Sequence, residues 1–363
     1  MNREAEGVVA PSSRVLSGRE KKQAARAVRR SGVRVAVVAL LPVAAFLISL
    51  PLGRYPVSLT ELAGAVLARL GLINSTVPDA VNTVLFGVRL PRLLTAMLVG
   101  AALSLSGAAY QGMFRNPLVS PDILGAAAGA GFGAVLGIML SKSVIVTQLL
   151  AFGFGLGAVL VTYLVAQRLQ RGDPTLVLVL TGILVGTIFT SLISIMKFLA
   201  DPYDKLPAIT YWLMGSLAAV TMQDLLLLLG PVAVGGIVLY LMRWQLNALS
   251  FGEEEARTLG VETGKVRTII IVAATMMTAA SVATCGMVGW VGLVIPHLAR
   301  SLVGPDYKVL LPVSLFLGST FLLLVDDLAR VVGSLELPLG VVTALVGAPW
   351  FLFLLARTRK GWT

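Results

Sequence analysis

The chain has 363 residues, of which 57% are hydrophobic and only 13% charged, with a mean hydropathy of +0.89. Soluble domains carry about 25% charged residues, so a bilayer is the expected solvent. The net charge of +11 does not indicate nucleic acid, because much of it crowds before the first apolar segment, at Arg3, Arg14, Arg19, Lys21, Lys22, Arg26, Arg29, Arg30 and Arg34, like a cytoplasmic anchor on anionic lipid.

One membrane helix needs roughly 20 apolar residues. Segments of that kind fall near 35–53, 93–113, 122–140, 145–166, 176–199, 224–242, 268–286, 287–299, 309–329 and 338–356, the eighth being short and irregular. The reading is an all-α polytopic membrane protein of about ten transmembrane helices. A basic cytoplasmic tail covers 1–34, with 1–30 polar and mobile; the membrane domain covers 35–356; a cytoplasmic tail covers 357–363. With both termini inside, most Lys and Arg residues fall on the inner side. Leu50-Pro-Leu-Gly-Arg54 is not a small-x-small cleavage site, so the first segment is retained. Residues 54–92 form the longest outer connection, where Ser58-Leu-Thr60-Glu61 reads as a capped short helix. The lone Cys285 permits no intramolecular disulfide and reads as packing.

Arg115-Asn116-Pro117-Leu118 interrupts two stretches of small apolar residues, Gly100 to Gly112 and Gly125 to Gly129. Small residues allow the close backbone approach on which helix association in lipid depends, so the polar turn falls between two packed spans. On the inner side, 243–267 is the largest break. There Glu253, Glu254 and Glu255 follow Gly252 as the first turn of a short helix, favoured by its dipole, and Gly260 reads as its stop. Such a helix suits docking into a partner's groove; a solvated connector is the alternative. Gly260 to Lys265 is not a phosphate loop, because Val266 stands where a hydroxyl is required.

Pro296 is expected to break the eighth span, and the sole histidine, His297, to cap carbonyls freed there. Arg89, Arg92 and Arg330 lie at outer span ends; since a central arginine costs roughly 2.5–3.5 kcal/mol, they are expected at the interface, facing water or an acidic partner. Asp326 and Asp327 read as i, i+4 and i, i+3 ion-pair partners of Arg330. Glu336 marks the start of the last helix.

Together these stretches resemble the permease subunit of binding-protein-dependent ABC importers for iron–siderophore, haem and vitamin B12 (FecCD-like). The likeness runs through Arg89-Leu-Pro-Arg92, Phe114-Arg-Asn-Pro-Leu118, Trp212-Leu-Met-Gly215, Ala256-Arg-Thr-Leu-Gly-Val261, Val291-Gly-Leu-Val-Ile-Pro-His297 and Glu336-Leu-Pro-Leu-Gly340. The chain departs from the family pattern at Asp306-Tyr307-Lys308 and Trp290. The resemblance implies a type II importer architecture, a homodimer of permeases, two ATP-binding cassette subunits and an extracytoplasmic substrate-binding protein in a bacterial cytoplasmic membrane. It implies coupling to the ATPase through 252–264, at Gly252, Glu253, Glu254, Ala256, Arg257, Leu259 and Gly260. It implies binding-protein docking at Arg89, Arg92 and Arg330, and a cytoplasmic gate at Asn116, Leu118 and Thr175. No catalytic residue, cofactor or metal is implied, and ATP hydrolysis falls to the partner. The cargo expected is a metal chelate, first a ferric siderophore, otherwise haem, cobalamin or an oxyanion. The rival readings are an ion-coupled secondary transporter, which needs midplane ionisable residues, and a membrane enzyme using Asp326, Asp327, Glu336 or His297.

Overall fold

A computed structural model describes residues 18–73, 77–141, 143–169, 174–332 and 335–358. All regular structure among them is helical. The first part comprises α1 (Gly18–Ser49), α2 (Leu59–Arg69) and α3 (Asp79–Asn82), which continues through a π-helical turn (Thr83–Arg89) into α4 (Leu90–Met113). Next come α5 (Ala126–Leu140), α6 (Val144–Leu169), α7 (Pro174–Leu199), α8 (Lys205–Met214) and α9 (Met222–Leu241). The chain ends with α10 (Arg243–Phe251), α11 (Glu253–Thr258), α12 (Thr263–Cys285), α13 (Val291–Val303), α14 (Tyr307–Val331) and α15 (Leu339–Thr358).

Six helical stretches are long and apolar enough to cross a membrane: Asp79–Met113, Val144–Leu169, Pro174–Leu199, Met222–Leu241, Thr263–Cys285 and Tyr307–Val331. Four shorter apolar helices, Arg34–Ser49, Ala126–Leu140, Val291–Val303 and Leu339–Phe353, fill the remaining predicted positions. The expected all-α polytopic fold is therefore present.

Burial sorts the spans into two classes. The apolar windows of 79–113, α12 and α14 are 83%, 72% and 61% buried, against 28% for α6 and α7 and 22% for α9. Composition explains the division. Leu, Ile and Val project from the outer faces of α7 and α9 toward lipid, whereas α4 carries small residues that let its neighbours approach. A Cβ on Gly107 would overlap the Gly292 carbonyl, and one on Gly100 the Gly318 carbonyl. On α5, Gly129, Gly133 and Gly137 recur every four residues along the face that meets Phe154, Leu150 and Thr147 of α6. Hydroxyls then bond between helices, from Ser104 to the Ser314 carbonyl (2.8 Å) and between Tyr110 and Thr275 (2.9 Å). Close approach with occasional hydrogen bonds is how helices associate in lipid.

Several expectations are corrected. Residues 18–30, expected mobile, continue α1 as helix; 1–17 and 359–363 of the predicted tails lie outside the described residues. The helix that carries the second span begins at Asp79, so the stretch between helical spans is shorter than 54–92, and among its described residues it holds α2, which Ser58 and Glu61 cap with a reciprocal capping box as expected. Pro296 does not break α13, which runs through it. Proline removes the N–H that would bond the carbonyl four residues earlier, here Gly292, and that carbonyl lies against Gly107. His297 therefore caps nothing: neither ring nitrogen has a partner, and the ring stands edge-on to Phe351, 6.1 Å between centroids. The irregularity foreseen near the eighth span lies just before it, where Gly286 and Trp290 both have positive φ.

Candidate functional site

The inner side is organised by two helix ends of the same design. At the end of α4, the Arg115 amide donates to the Gly112 carbonyl and the Asn116 amide to the Gln111 carbonyl, both at 3.1 Å. At the end of α11, the Gly260 amide donates to Arg257 (2.9 Å) and the Val261 amide to Ala256 (3.0 Å). Both are Schellman motifs, which require a left-handed residue just past the cap. Gly260 supplies it without steric cost at φ 79. Arg115 occupies the equivalent position at φ 50, where a Cβ crowds the backbone. A bulky residue held there marks stored local strain in the turn.

The turn continues with Asn116, whose side-chain Oδ1 accepts the Leu118 amide at 2.9 Å, while the Leu118 side chain is 53% exposed; both residues are expected at the gate. Thr175, the third expected gate residue, is the second residue of α7, which Pro174 opens. Pro174 thus starts a helix where a proline is best tolerated.

Gly252 opens α11 at φ 140, a backbone conformation reserved for glycine. Ala256 is fully buried beneath the helix, with Val261 beside it. Glu254, Glu255 and Arg257 point outward, flanked by two exposed apolar side chains, Phe251 (72%) and Leu259 (56%). Glu253 forms an ion pair with Arg267, and Arg257 Nε reaches Thr263 Oγ1 at 3.3 Å, which fixes α11 on α12. Its other side is tied through α10 to α14: Asn247 Nδ2 donates to Asp306 Oδ1 (2.8 Å), and Asn247 Oδ1 accepts the Tyr307 amide (2.9 Å). The segments expected to form the gate and the coupling helix also meet. Arg115 Nη1 lies 3.5 Å from where a Gly252 Cβ would stand, and Glu255 approaches the same point.

On the outer side, Arg89, Arg92 and Arg330 do come together, but not at the surface. Their relative exposures are 4%, 6% and 5%. Arg92 grips Asp326 (3.0 Å) and Glu336 (2.9 Å). Arg330 adds Asp326 at 3.2 Å and pairs with Asp327, as its spacing predicted. Ser49 donates to Asp327 at 2.5 Å. Arg89 donates to the carbonyls of Leu50 (2.8 Å), Pro51 (3.1 Å) and Tyr55 (2.5 Å), and Arg330 to that of Leu52 (3.3 Å). The expectation that these arginines face water or a partner is therefore corrected. The helix begins before them, and their charges are met by carboxylates and by the chain leaving α1. Arg54, in that same loop, is exposed.

Sequence reasoning missed three features. The Asn247–Asp306 tie joins segments far apart in the chain. The Ser49–Asp327 bond does likewise. Helix α8, by contrast, had a local signal, since Gly215 after Trp212-Leu-Met214 is a helix stop and has φ 77. Among the described residues, no group of three or more His, Cys, Asp or Glu side chains is placed to hold a metal ion.

Comparison with known proteins follows the same geometry. The FecCD transport family matches residues 40–357. The chain is 39% identical over 324 residues to the molybdate import system permease protein MolB of Haemophilus influenzae, covering 89% of this chain and 95% of that protein. It is 39% identical over 285 residues to the cobalamin import system permease protein BtuC of Halobacterium salinarum, covering 78% and 76%. Among solved structures, an inward-facing ABC transporter assigned to the metal-chelate type superposes with a TM-score of 0.80 at 37% identity, covering 89% of this chain and 98% of that one. The chain belongs to the FecCD transport family and is a membrane-spanning permease subunit of an ABC importer.

Proposed function

We propose that this permease works as a homodimer with two ATP-binding cassette subunits beneath it and an extracytoplasmic binding protein above it, both termini facing the cytoplasm. The observation that carries this reading is α11. It presents Glu254 and Arg257 outward from a buried Ala256, with exposed Leu259 at its end, and Gly252, which caps its start, adjoins Arg115 of the proposed gate turn. A helix anchored on one face and charged on the other suits a groove in a partner. Movement of that partner would reach Asn116 and Leu118 through Arg115, and Thr175 would complete the gate from the start of α7. ATP hydrolysis belongs to the partner; the permease lowers a barrier and makes or breaks no covalent bond.

Outside, the binding protein docks on the surface above Arg89, Arg92 and Arg330. The three arginines hold that surface from below, and exposed Arg54 and half-buried Glu336 offer the direct contacts.

The cargo is a metal chelate, with ferric siderophore first. The metal-chelate type of the solved relative and the cobalt chelate named for the Halobacterium relative support that class. Molybdate is the second reading, favoured because the molybdate permease aligns over 89% of this chain. The test is uptake into proteoliposomes holding the permease, its ATPase and its binding protein, offered radiolabelled ferric siderophore, cobalamin or molybdate. ATP-dependent accumulation of a chelate supports the first reading. Accumulation of molybdate alone replaces it with the second. Accumulation without any ATPase overturns the assembly.

A further inference from the structure

A cavity of about 340 Å³ opens between the Arg115–Pro117 turn and α13, and no ligand has been assigned to it above. Its size falls at the lower end of small-ligand sites, about 300–1,000 Å³. Arg115, Asn116 and Ser250 form the exposed rim, while Gln111, His297 and Arg300 lie deeper. None of the lining residues is acidic.

Three side chains there have unspent donors. Arg115 makes no side-chain hydrogen bond or ion pair among the described residues; Glu255 also approaches Gly252, yet the two do not pair. Arg300 donates to Gln111 Oε1 at 3.1 Å and also bonds the Tyr307 hydroxyl, which leaves part of the five N–H groups of a guanidinium unengaged. His297 is the clearest case. It is 7% exposed, it lines the cavity, and neither Nδ1 nor Nε2 has a partner. A neutral imidazole always carries one N–H, and a buried donor is normally met by protein or by a bound group. Two guanidiniums and an imidazole converging without a carboxylate match an anion with several acceptor oxygens, the chemistry for which arginine forks are suited.

We propose that this cavity binds a tetrahedral oxyanion of the phosphate class, held between Arg115 of the gate turn and His297 and Arg300 of α13. Such an occupant ties the gate turn to α13. The oxyanion is either free in the cytosol or carried on a lipid headgroup.

The sole histidine makes the test direct. The full chain, carrying a histidine-free tag and ¹⁵N-labelled histidine, is placed in phosphatidylcholine nanodiscs at fixed pH and titrated with inorganic phosphate against sodium chloride of equal ionic strength. A saturable shift of the imidazole nitrogens with phosphate, absent with chloride, is expected. Arg115→Gln removes the charge from an exposed side chain without altering the backbone demand, and should weaken the midpoint ~10-fold, the effect of one lost charge-assisted contact. A parallel sample in phosphatidic-acid nanodiscs without phosphate identifies the source: a shift there alone assigns the headgroup, and one with phosphate alone assigns the free ion. No saturable shift from either source overturns the proposal. So does a midpoint unchanged in Arg115→Gln, or a shift that arises only when the ATPase is added, which would give the cavity to a protein side chain. None of these outcomes depends on whether the chain imports a chelate.

Discussion

Arg92 and Asp326, 234 residues apart in sequence, meet through two guanidinium nitrogens, the closest contact being 3.0 Å with both side chains under a tenth exposed. Removing one partner of such a pair leaves a buried charge unmet and costs about 3–5 kcal/mol, whereas replacing both with apolar groups is often neutral. Asp326→Leu takes a carboxylate from both Arg92 and Arg330 and is expected to lower stability by about that amount, and Arg92→Met with Asp326→Leu should recover only part of it, because Glu336 then loses its arginine. Thermal unfolding of the full chain in detergent, read as a double-mutant cycle, checks this. Additive losses would show that the two residues do not stabilise each other.

Identical substitutions at two glycines should act in opposite directions. A Cβ at Gly107 meets the Gly292 carbonyl, whereas one at Gly264 meets nothing within 4 Å. Gly107→Ala is expected to destabilise by about 1–3 kcal/mol, as overpacking does. Gly264→Ala lies in helix α12 with open space around it, and should stabilise by about 0.5–1 kcal/mol through helix propensity. Equal effects on melting temperature would contradict the close contact between α4 and α13.

What the sequence discloses depends on how local the physics is. Span positions are readable because the bilayer demands long apolar runs, and α11 is readable because Gly252, the three glutamates and Gly260 lie within one short stretch. The true start of the second span is not. Arg89 and Arg92 look like a boundary, since a charge in a span is costly, yet their partners at Leu50, Tyr55, Asp326 and Glu336 are supplied by distant segments. The surroundings of His297 are equally hidden, because α4, α10 and α13 must assemble before that cavity exists.

Arg115 is held in a left-handed conformation that a glycine would adopt freely. For an L-residue that conformation costs roughly 1–2 kcal/mol. Arg115→Gly should therefore raise stability by about 1 kcal/mol relative to Arg115→Ala, which keeps the Cβ and loses the same charge. Amide exchange at Asn116, whose N–H closes the turn on Gln111, should slow in the glycine variant relative to alanine. Faster exchange in glycine would mean that the turn draws its order from elsewhere.

The tie between α10 and α14 should respond to acid. Burial pushes the Asp306 carboxyl up, but the Lys308 amide, the Asn247 side chain and the Lys308 charge outweigh it and hold the group below its ordinary value. A carboxyl depressed in the folded state contributes stability above its unfolded pKa and loses it as pH falls through the folded one. Protection of the Lys308 amide, which donates to Asp306 at 3.0 Å, should thus be constant near neutrality and decline below the usual carboxylate range. Asp306→Asn should flatten that dependence; an unchanged acid response would assign it to another group.

Charge reversal on α11 tests how far its exposed face governs transport. Glu254 and Arg257 point outward, while Glu253 and Ala256 fasten the helix to α12 and the core. Glu254 can therefore be changed without removing an anchor, and Arg257→Glu gives up only the Thr263 contact, leaving Glu253–Arg267 and buried Ala256 in place. Disrupting a charge pair desolvated at a protein interface costs about 2–5 kcal/mol, enough to weaken the bond to a partner by more than tenfold. Glu254→Arg with Arg257→Glu is expected to cut ATP-driven uptake by at least that factor. The purified permease should keep its melting temperature and oligomeric size, and ATP hydrolysis should persist without transport. If uptake falls only as far as melting temperature falls, the loss is one of folding. If uptake is unchanged, the exposed face of α11 is a solvated connector, and force must reach Asn116 and Leu118 by another route.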